Sequence, residues 1–124
     1  MITMTPASLV PKRGDVVLVL FPHSDLRTAK PRPAAVVQAD NLETGLPQVI
    51  VAMITSKIFR ANHPSRILVE LNSLDGEKSG LLANSVVMTD NLATINVVAI
   101  DRVIGKLPTK EIDVALKYTL GLSS

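Results

Sequence analysis

The chain has 124 residues and no cysteine, and 47% of its residues are hydrophobic. This length fits one domain with a core of its own, and the lack of cysteine excludes disulfides, thiolate metal sites and cysteine nucleophiles. The net charge is only +2, but residues 1–66 carry eight basic and four acidic side chains, whereas residues 67–124 carry five and seven. A basic first half predicts a polyanion or an acidic protein as a partner.

The sequence contains no pattern for a metal site, a membrane helix or a secretion signal. His23 and His63 are its two histidines, and neither stands in a His-x-x-x-His pattern or near a carboxylate cluster, so we expect no metal and no other cofactor. No apolar run reaches the roughly 18 residues of a membrane helix, and no signal-peptide pattern opens the chain. We therefore expect a cytoplasmic protein without a membrane partner, with a flexible leader over residues 1–11 and a single domain over residues 12–122.

Most of the chain consists of short β-branched runs separated by Gly, Pro, Asn and Asp. The run from Asp15 to Phe21 is nearly all apolar, which indicates a strand covered on both faces, and Pro22 ends it. After a polar loop over residues 23–33, further strands are predicted at residues 34–39, 48–55, 66–71, 85–89 and 103–107.

A helix is predicted at the C-terminus. Thr109 is its predicted N-cap, apolar residues then recur at helical spacing, and Gly121 is its predicted stop. A shorter helix over residues 92–99 is a second hypothesis. Together these elements predict a mainly β domain, in which a strongly curved sheet or small barrel is covered on one side by the terminal helix.

Arg32 stands between two prolines, in the phrase Lys30-Pro31-Arg32-Pro33. Because proline fixes φ, lacks an N–H and restrains the residue before it, we expect Arg32 outside any helix or central strand, on a stiff segment just before the second strand. Its guanidinium keeps its charge and offers a planar fork of donors, which suits a phosphate. The alternative is an ordinary surface arginine at the entrance of a strand.

Five phrases, read in order, resemble the MazF/PemK family of toxin endoribonucleases. They are KRGDVV at residues 12–17, FPHSDL at 21–26, KPRPA at 30–34, ITS at 54–56 and NSVV at 84–87, and IGKL at 104–107 before the final helix also fits.

The resemblance implies an SH3-like barrel of antiparallel strands with a C-terminal helix, assembled as a two-fold homodimer. It also implies sequence-selective cleavage of single-stranded messenger RNA without a metal ion. The implied partner is an acidic antitoxin that competes with RNA for one concave surface, and the toxin–antitoxin complex is the form that binds DNA.

RNA supplies the nucleophile for such a cleavage, because its 2′-hydroxyl attacks the adjacent phosphorus and expels the 5′-oxygen of the next nucleotide. The resemblance assigns Arg32 to stabilising the phosphorane. It assigns Thr55 to the scissile phosphate or the nucleophile, with Ser56 beside it to share the task. The alternative for Thr55 is a strand-end residue that caps a turn.

Further candidates lie in the loop before Arg32. Asp25 is either a catalytic proton acceptor, an orienting partner of Arg32 or a turn residue. His23 is an alternative general base because imidazole titrates near neutrality, although the family pattern does not require it. The substrate-binding candidates implied by the resemblance are Ser24, Arg27, Lys30, Ser56, Lys57, His23 and Asp90.

The chain also departs from the family pattern. Val17 and Leu18 stand where many relatives have an aromatic residue, Met88 stands where some have a second functional arginine, and aromatic residues make up only 2% of the chain. Base-stacking platforms are therefore scarce.

Two other functions stay open: a non-enzymatic CcdB-like toxin that acts through the end of its helix, and an SH3-like RNA- or protein-binding module with weak or no catalysis.

Overall fold

The computed structural model describes residues 11–21 and 30–123, and of Phe21 the backbone alone. Four of the predicted site residues lie outside the described residues: His23, Ser24, Asp25 and Arg27. Among the described residues, no helix is long and apolar enough to cross a membrane.

Six strands form one sheet in which every neighbouring pair is antiparallel, in the order β4-β5-β3-β2-β1-β6. The strands are β1 (Asp15–Phe21), β2 (Lys30–Val36), β3 (Gln48–Thr55), β4 (Arg66–Val69), β5 (Ser85–Asn96) and β6 (Ile100–Lys106). The helices are α1 (Leu74–Ser79) and α2 (Thr109–Leu120), and single 3₁₀ turns cover Ile58–Ala61 and Val97–Ala99. The predicted mainly β fold with a C-terminal helix is confirmed.

The sheet is buried on both faces, because alternate residues of its central strands enter two separate core clusters. Val16 belongs to the cluster that also contains Ile112 of α2, whereas Val17 and Val19 belong to the other, and all four side chains are at most 1% exposed. Burial of each such side chain contributes about 1.5–3 kcal/mol. The prediction that the first strand is covered on both faces is confirmed, and α2 covers one of those faces as expected.

Arg32 lies inside β2, and β2 is a central strand between β1 and β3. The predictions that Arg32 precedes the second strand and that it avoids a central strand are therefore wrong. The physical reason is one-sided pairing: residues 30–33 pair with β1 but have no partner on the β3 side. Proline is compatible with a strand that is an edge on one side.

Other boundaries also differ from those predicted. β5 continues to Asn96, and the hypothesis of a helix over residues 92–99 is wrong, because residues 92–96 pair with the first half of β3 and only Val97–Ala99 form a 3₁₀ turn. α1 was not predicted; Ser73 caps it by accepting a hydrogen bond from the Gly76 N–H at 3.0 Å. Pro108 is the N-cap of α2 in place of Thr109, and Gly121 ends the helix in a left-handed conformation, as expected.

Candidate functional site

The site begins where β2 and β3 separate. Their last paired residues are Ala34 and Met53, and continuing that register by two residues sets Arg32 opposite Thr55. Alternation along each strand puts both residues on the same face of the sheet as Ala34 and Met53. The predicted phosphate-binding arginine and hydroxyl residue therefore lie on the same face of the sheet, on either side of a gap between two strands.

The prolines explain why the strands separate at this point. The Gly14 N–H donates to the Val36 carbonyl at 2.8 Å, so Val36 and, by alternation, Arg32 direct their backbone groups toward β1. Pro31 and Pro33 occupy the intervening positions and face the β3 side without an N–H to donate. The gap that opens beside β3 is a consequence of these two missing donors.

The gap widens into a groove of about 750 Å³. Both Arg32 and Thr55 line this groove. Five basic side chains line it, whereas no acidic side chain is among its described lining residues; the five are Lys30, Arg32, Lys57, Arg60 and Arg102. Ser56 is also at its wall. Arg32 is exposed and Thr55 is half-buried, so the groove is open to a large anionic ligand.

The Thr55 hydroxyl has a local role as well as a place in the groove. Its Oγ1 accepts a hydrogen bond from the Lys57 N–H at 3.2 Å, which is the turn-capping role considered for it in the sequence. A hydroxyl that accepts one bond still has its own hydrogen to donate. Capping of the turn and donation to a phosphate oxygen are thus compatible in one side chain.

Four polar groove residues were not predicted as site residues from the sequence: Arg60, Ser85, Asn91 and Arg102. Arg60 lies in the basic segment just after Thr55, so the charge of that segment was a usable signal. Arg102 reaches the groove because β6 pairs with β1, where Arg102 is opposite Leu18. Nothing in the local sequence around Arg102 reveals this long-range pairing.

Asn91 enters the groove because β5 has an irregularity beside it. Along β3, Ala52 is opposite Leu92, but the next residue, Met53, is opposite Met88. The extra residues of β5 between Met88 and Leu92 are left without direct partners on β3. Bulges of this kind redirect side chains and are frequent beside active sites.

Asp90 lies in this irregular segment but is not among the residues that line the groove. Its carboxylate accepts two hydrogen bonds from the Arg66 guanidinium, 2.8 Å from Nη2 and 3.3 Å from Nε. The hydrogen bond from Arg66 is the main reason that the pKa of Asp90 is lowered, and the same bond raises the pKa of Arg66. The structure therefore brings Lys30, Arg32, Thr55, Ser56 and Lys57 together, and it engages Asp90 elsewhere.

No group of three or more potential metal ligands occurs among the described His, Asp and Glu side chains. The chemistry that the described part of the groove offers is a set of fixed cations and hydroxyl donors. These groups bind phosphate oxygens and stabilise negative charge that develops on them.

Comparison with known proteins agrees with this architecture. Residues 12–118 match a family model described as PemK-like, MazF-like toxin of type II toxin–antitoxin system. The fold is similar to that of an endoribonuclease from a mycobacterial species, solved in complex with its cognate antitoxin, with a TM-score of 0.70 and 21% identity over 93% of this chain and 99% of the other.

Two further structures are similar in fold. The Mycobacterium tuberculosis toxin MazF-mt6 gives a TM-score of 0.68 and 23% identity, covering 89% of this chain and 99% of that one. A MazE–MazF structure from Deinococcus radiodurans gives a TM-score of 0.68 and 19% identity, covering 92% and 98%. At these identities the structural similarities concern the fold.

Proposed function

The chain belongs to the PemK-like, MazF-like toxins of type II toxin–antitoxin systems, and we propose that it is an endoribonuclease that cuts single-stranded messenger RNA without a metal ion. The observation that carries this proposal is the cation-lined groove that Arg32 and Thr55 share. A groove with five cations and no described acid attracts a phosphate backbone. The mycobacterial endoribonuclease of similar fold supports the same activity.

In the proposed reaction the 2′-hydroxyl of one nucleotide attacks the adjacent phosphorus. A bond forms between phosphorus and the 2′-oxygen as the bond to the 5′-oxygen breaks, which yields a 2′,3′-cyclic phosphate and a 5′-hydroxyl. Arg32 donates to the non-bridging oxygens of the phosphorane, an interaction of about 3–4 kcal/mol in a preorganised site. Thr55 donates its remaining hydrogen to the same phosphate. DNA lacks the 2′-hydroxyl and is not a substrate.

The remaining roles follow from charge and position. Lys30, Lys57 and Ser56 bind the phosphate backbone on either side of the scissile bond. Asp25 is the proposed proton acceptor, with His23 as the alternative; both lie outside the described residues. The leaving 5′-oxygen must also receive a proton, and Arg32 is a candidate donor of it.

The proposed protein partner is an acidic antitoxin that binds the same groove and excludes RNA from it. Complementary charge makes such a segment a competitor of the phosphate backbone. The antitoxin complexes solved for proteins of similar fold support this partner. We further propose a homodimer that acts in the cytoplasm, where its messenger RNA substrate is found.

The decisive experiment is cleavage of a pool of varied single-stranded RNA sequences by the purified protein in excess EDTA. We expect the wild type to cut and Arg32→Ala to cut at least about 100-fold more slowly. Arg32→Lys should recover only part of the rate because an ammonium lacks the planar fork. Lys110→Ala is the matched control, since it removes an exposed cation of α2 that is outside the groove.

The products provide a second readout. They should carry a 2′,3′-cyclic or 3′-phosphate and a 5′-hydroxyl. A wild-type protein that leaves the whole pool uncut in EDTA, or an Arg32→Ala variant that is folded and fully active, would contradict the proposal. Products with a 5′-phosphate would indicate a water nucleophile and hence a different mechanism.

A further inference from the structure

The turn that follows Thr55 presents an aromatic ring beside the groove. Phe59 lies in the 3₁₀ turn Ile58–Ala61, and it is 77% exposed. Tyr118 is the other aromatic side chain that the structure describes, and it packs edge-on against His63 with 5.9 Å between ring centroids. Phe59 is not itself a lining residue of the groove, but it immediately precedes Arg60, which is one.

Arg60 links this ring to the groove. Its guanidinium carbon lies 5.8 Å from the centroid of the Phe59 ring, within the range of a cation–π contact. The same side chain lines the groove, where its Nη1 is 3.9 Å from the sulfur of Met88. The aromatic ring and the guanidinium are thus in contact and are called the Phe59–Arg60 platform, of which Arg60 is the member in the groove wall.

The backbone beneath the platform is held in place. The Arg60 N–H donates to the Lys57 carbonyl at 3.0 Å, and Arg66 Nη1 donates to the Arg60 carbonyl at 3.2 Å. Arg66 is itself fixed by its two hydrogen bonds to Asp90. Because the backbone of this turn is already held by hydrogen bonds, binding of a ligand to the platform costs little conformational entropy.

We propose that the Phe59–Arg60 platform is a nucleobase-binding subsite, on which a base next to the scissile phosphate stacks. This inference rests on the proposed endoribonuclease function and specifies how that site holds its substrate. Bases of single-stranded RNA stack on aromatic rings and on guanidinium planes, because every base has a π-face. A single exposed phenyl ring is common on protein surfaces; here the adjoining groove cation sets it apart.

The platform also has a consequence for the chemistry. A base that stacks on Phe59 leaves the stack of its own strand, and its ribose turns with it. In-line attack requires the 2′-oxygen, the phosphorus and the 5′-oxygen to be aligned. The platform therefore acts as a positioning and selectivity element, and Asp90 contributes to it indirectly through Arg66.

The test measures binding of two uncleavable oligonucleotides, both 2′-O-methylated, of which one carries bases and the other is abasic throughout. Phe59→Ala should weaken binding of the base-carrying strand about 5- to 100-fold and change binding of the abasic strand less than about twofold. Phe59→Trp should restore tight binding. Ile58→Ala is the matched control, because it truncates a neighbouring exposed side chain of the same turn. Arg32→Ala should weaken both strands alike.

The inference is overturned if Phe59→Ala binds the base-carrying strand as tightly as the wild type, or if it weakens both strands equally. It is also overturned if the wild type does not prefer the strand with bases. The cleavage assay in EDTA keeps the two proposals apart. Selective loss of base binding in Phe59→Ala together with a wild type that fails to cut RNA supports the subsite and refutes the nuclease.

Discussion

Thr55 shows how one side chain serves the backbone and the site together. Its Oγ1 accepts the Lys57 N–H at 3.2 Å, and this bond sets the course of the chain as β3 ends. The hydroxyl hydrogen has no acceptor among the described residues, so it is available to donate to a ligand that enters the groove. The turn-capping interpretation of Thr55 is therefore correct, and the proposed catalytic one is additional to it.

Substitution at Thr55 separates the two roles. Thr55→Val keeps the shape but removes the donor, and we expect it to lower the rate of RNA cleavage about 100- to 1000-fold, as the loss of one preorganised donor does. Thr55→Ser keeps the hydroxyl and should stay within about tenfold of the wild type. Single-turnover cleavage rates measure this effect, and thermal unfolding of each variant reports the loss of the turn cap separately. A folded Thr55→Val that cuts at the wild-type rate would remove Thr55 from the mechanism.

Arg32 illustrates what a single residue type can and cannot reveal. The chemistry of a guanidinium between two prolines indicated a phosphate ligand on an extended segment, and the structure places Arg32 in an open, cation-lined groove. The prolines were interpreted only as obstacles to a strand. Their missing N–H groups are tolerated within β2 because they face the side on which β3 no longer pairs. The sequence shows the missing donors, but it does not show that they face β3 and not β1.

At the scale of elements, β5 was the hardest strand to predict. Its 12 residues change burial from fully buried at Ser85–Thr89 to mostly exposed beyond Asp90, so no single period runs through it. The second half is a strand because it pairs with β3, and long-range pairing overrides local propensity. The same long-range pairing creates the irregularity that admits Asn91 to the groove.

The short helix α1 left a signal that was overlooked. Ser73 caps its first turn, Asp75 and Glu77 lie in that turn, and Gly80 ends it in a left-handed conformation. Gly76 lies within this helix, and a Cβ there would lie 1.9 Å from the Glu70 carbonyl oxygen. Glycine at this position permits a close approach of backbone to backbone, which composition alone does not distinguish from a flexible turn.

The two hydrogen bonds between Arg66 and Asp90 link β4 to β5, and Arg66 also contacts the turn that carries Phe59. Because this contact lowers the pKa of Asp90, the stability it contributes is present above the unfolded-state pKa of about 3.9. It is lost as the pH falls through the lower folded-state pKa. Asp90→Asn should lower the melting temperature at pH 7 by no more than a few degrees, since exposed ion pairs are weak.

The pH dependence identifies this ion pair specifically. The difference in melting temperature between the wild type and Asp90→Asn should shrink as the pH falls below the unfolded-state pKa of about 3.9. It should be lost once the pH has also passed the lower pKa of the folded-state carboxyl. Glu70→Gln is the control, because Glu70 is an exposed carboxylate without an ion-pair partner among the described residues. A melting-temperature difference that stays constant down to pH 2 would show that the charge of Asp90 does not contribute to stability.

For the molecule as a whole, the distribution of charge in space differs from its distribution along the sequence. Lys30, Arg32, Lys57 and Arg60 come from the basic first half, as its composition suggested, and Arg102 joins them from the acidic second half. The groove is therefore more uniformly positive than either half of the sequence. Strand order, with β6 beside β1, brings the fifth cation into place.

The number of cations that meet in the groove determines the expected salt dependence of RNA binding. Each phosphate contact on a single strand contributes about −0.7 to the slope of log K against log salt concentration. With five groove cations engaged, the wild type should bind an uncleavable single-stranded RNA with a slope of about −3.5, and Arg102→Gln should reduce its magnitude by about 0.7. Lys110→Gln, outside the groove, should leave the slope unchanged, and fluorescence anisotropy titrations between low and physiological salt measure all three. An Arg102→Gln slope equal to that of the wild type would mean that the RNA does not extend to β6 and that the phosphate path ends between β2 and β3.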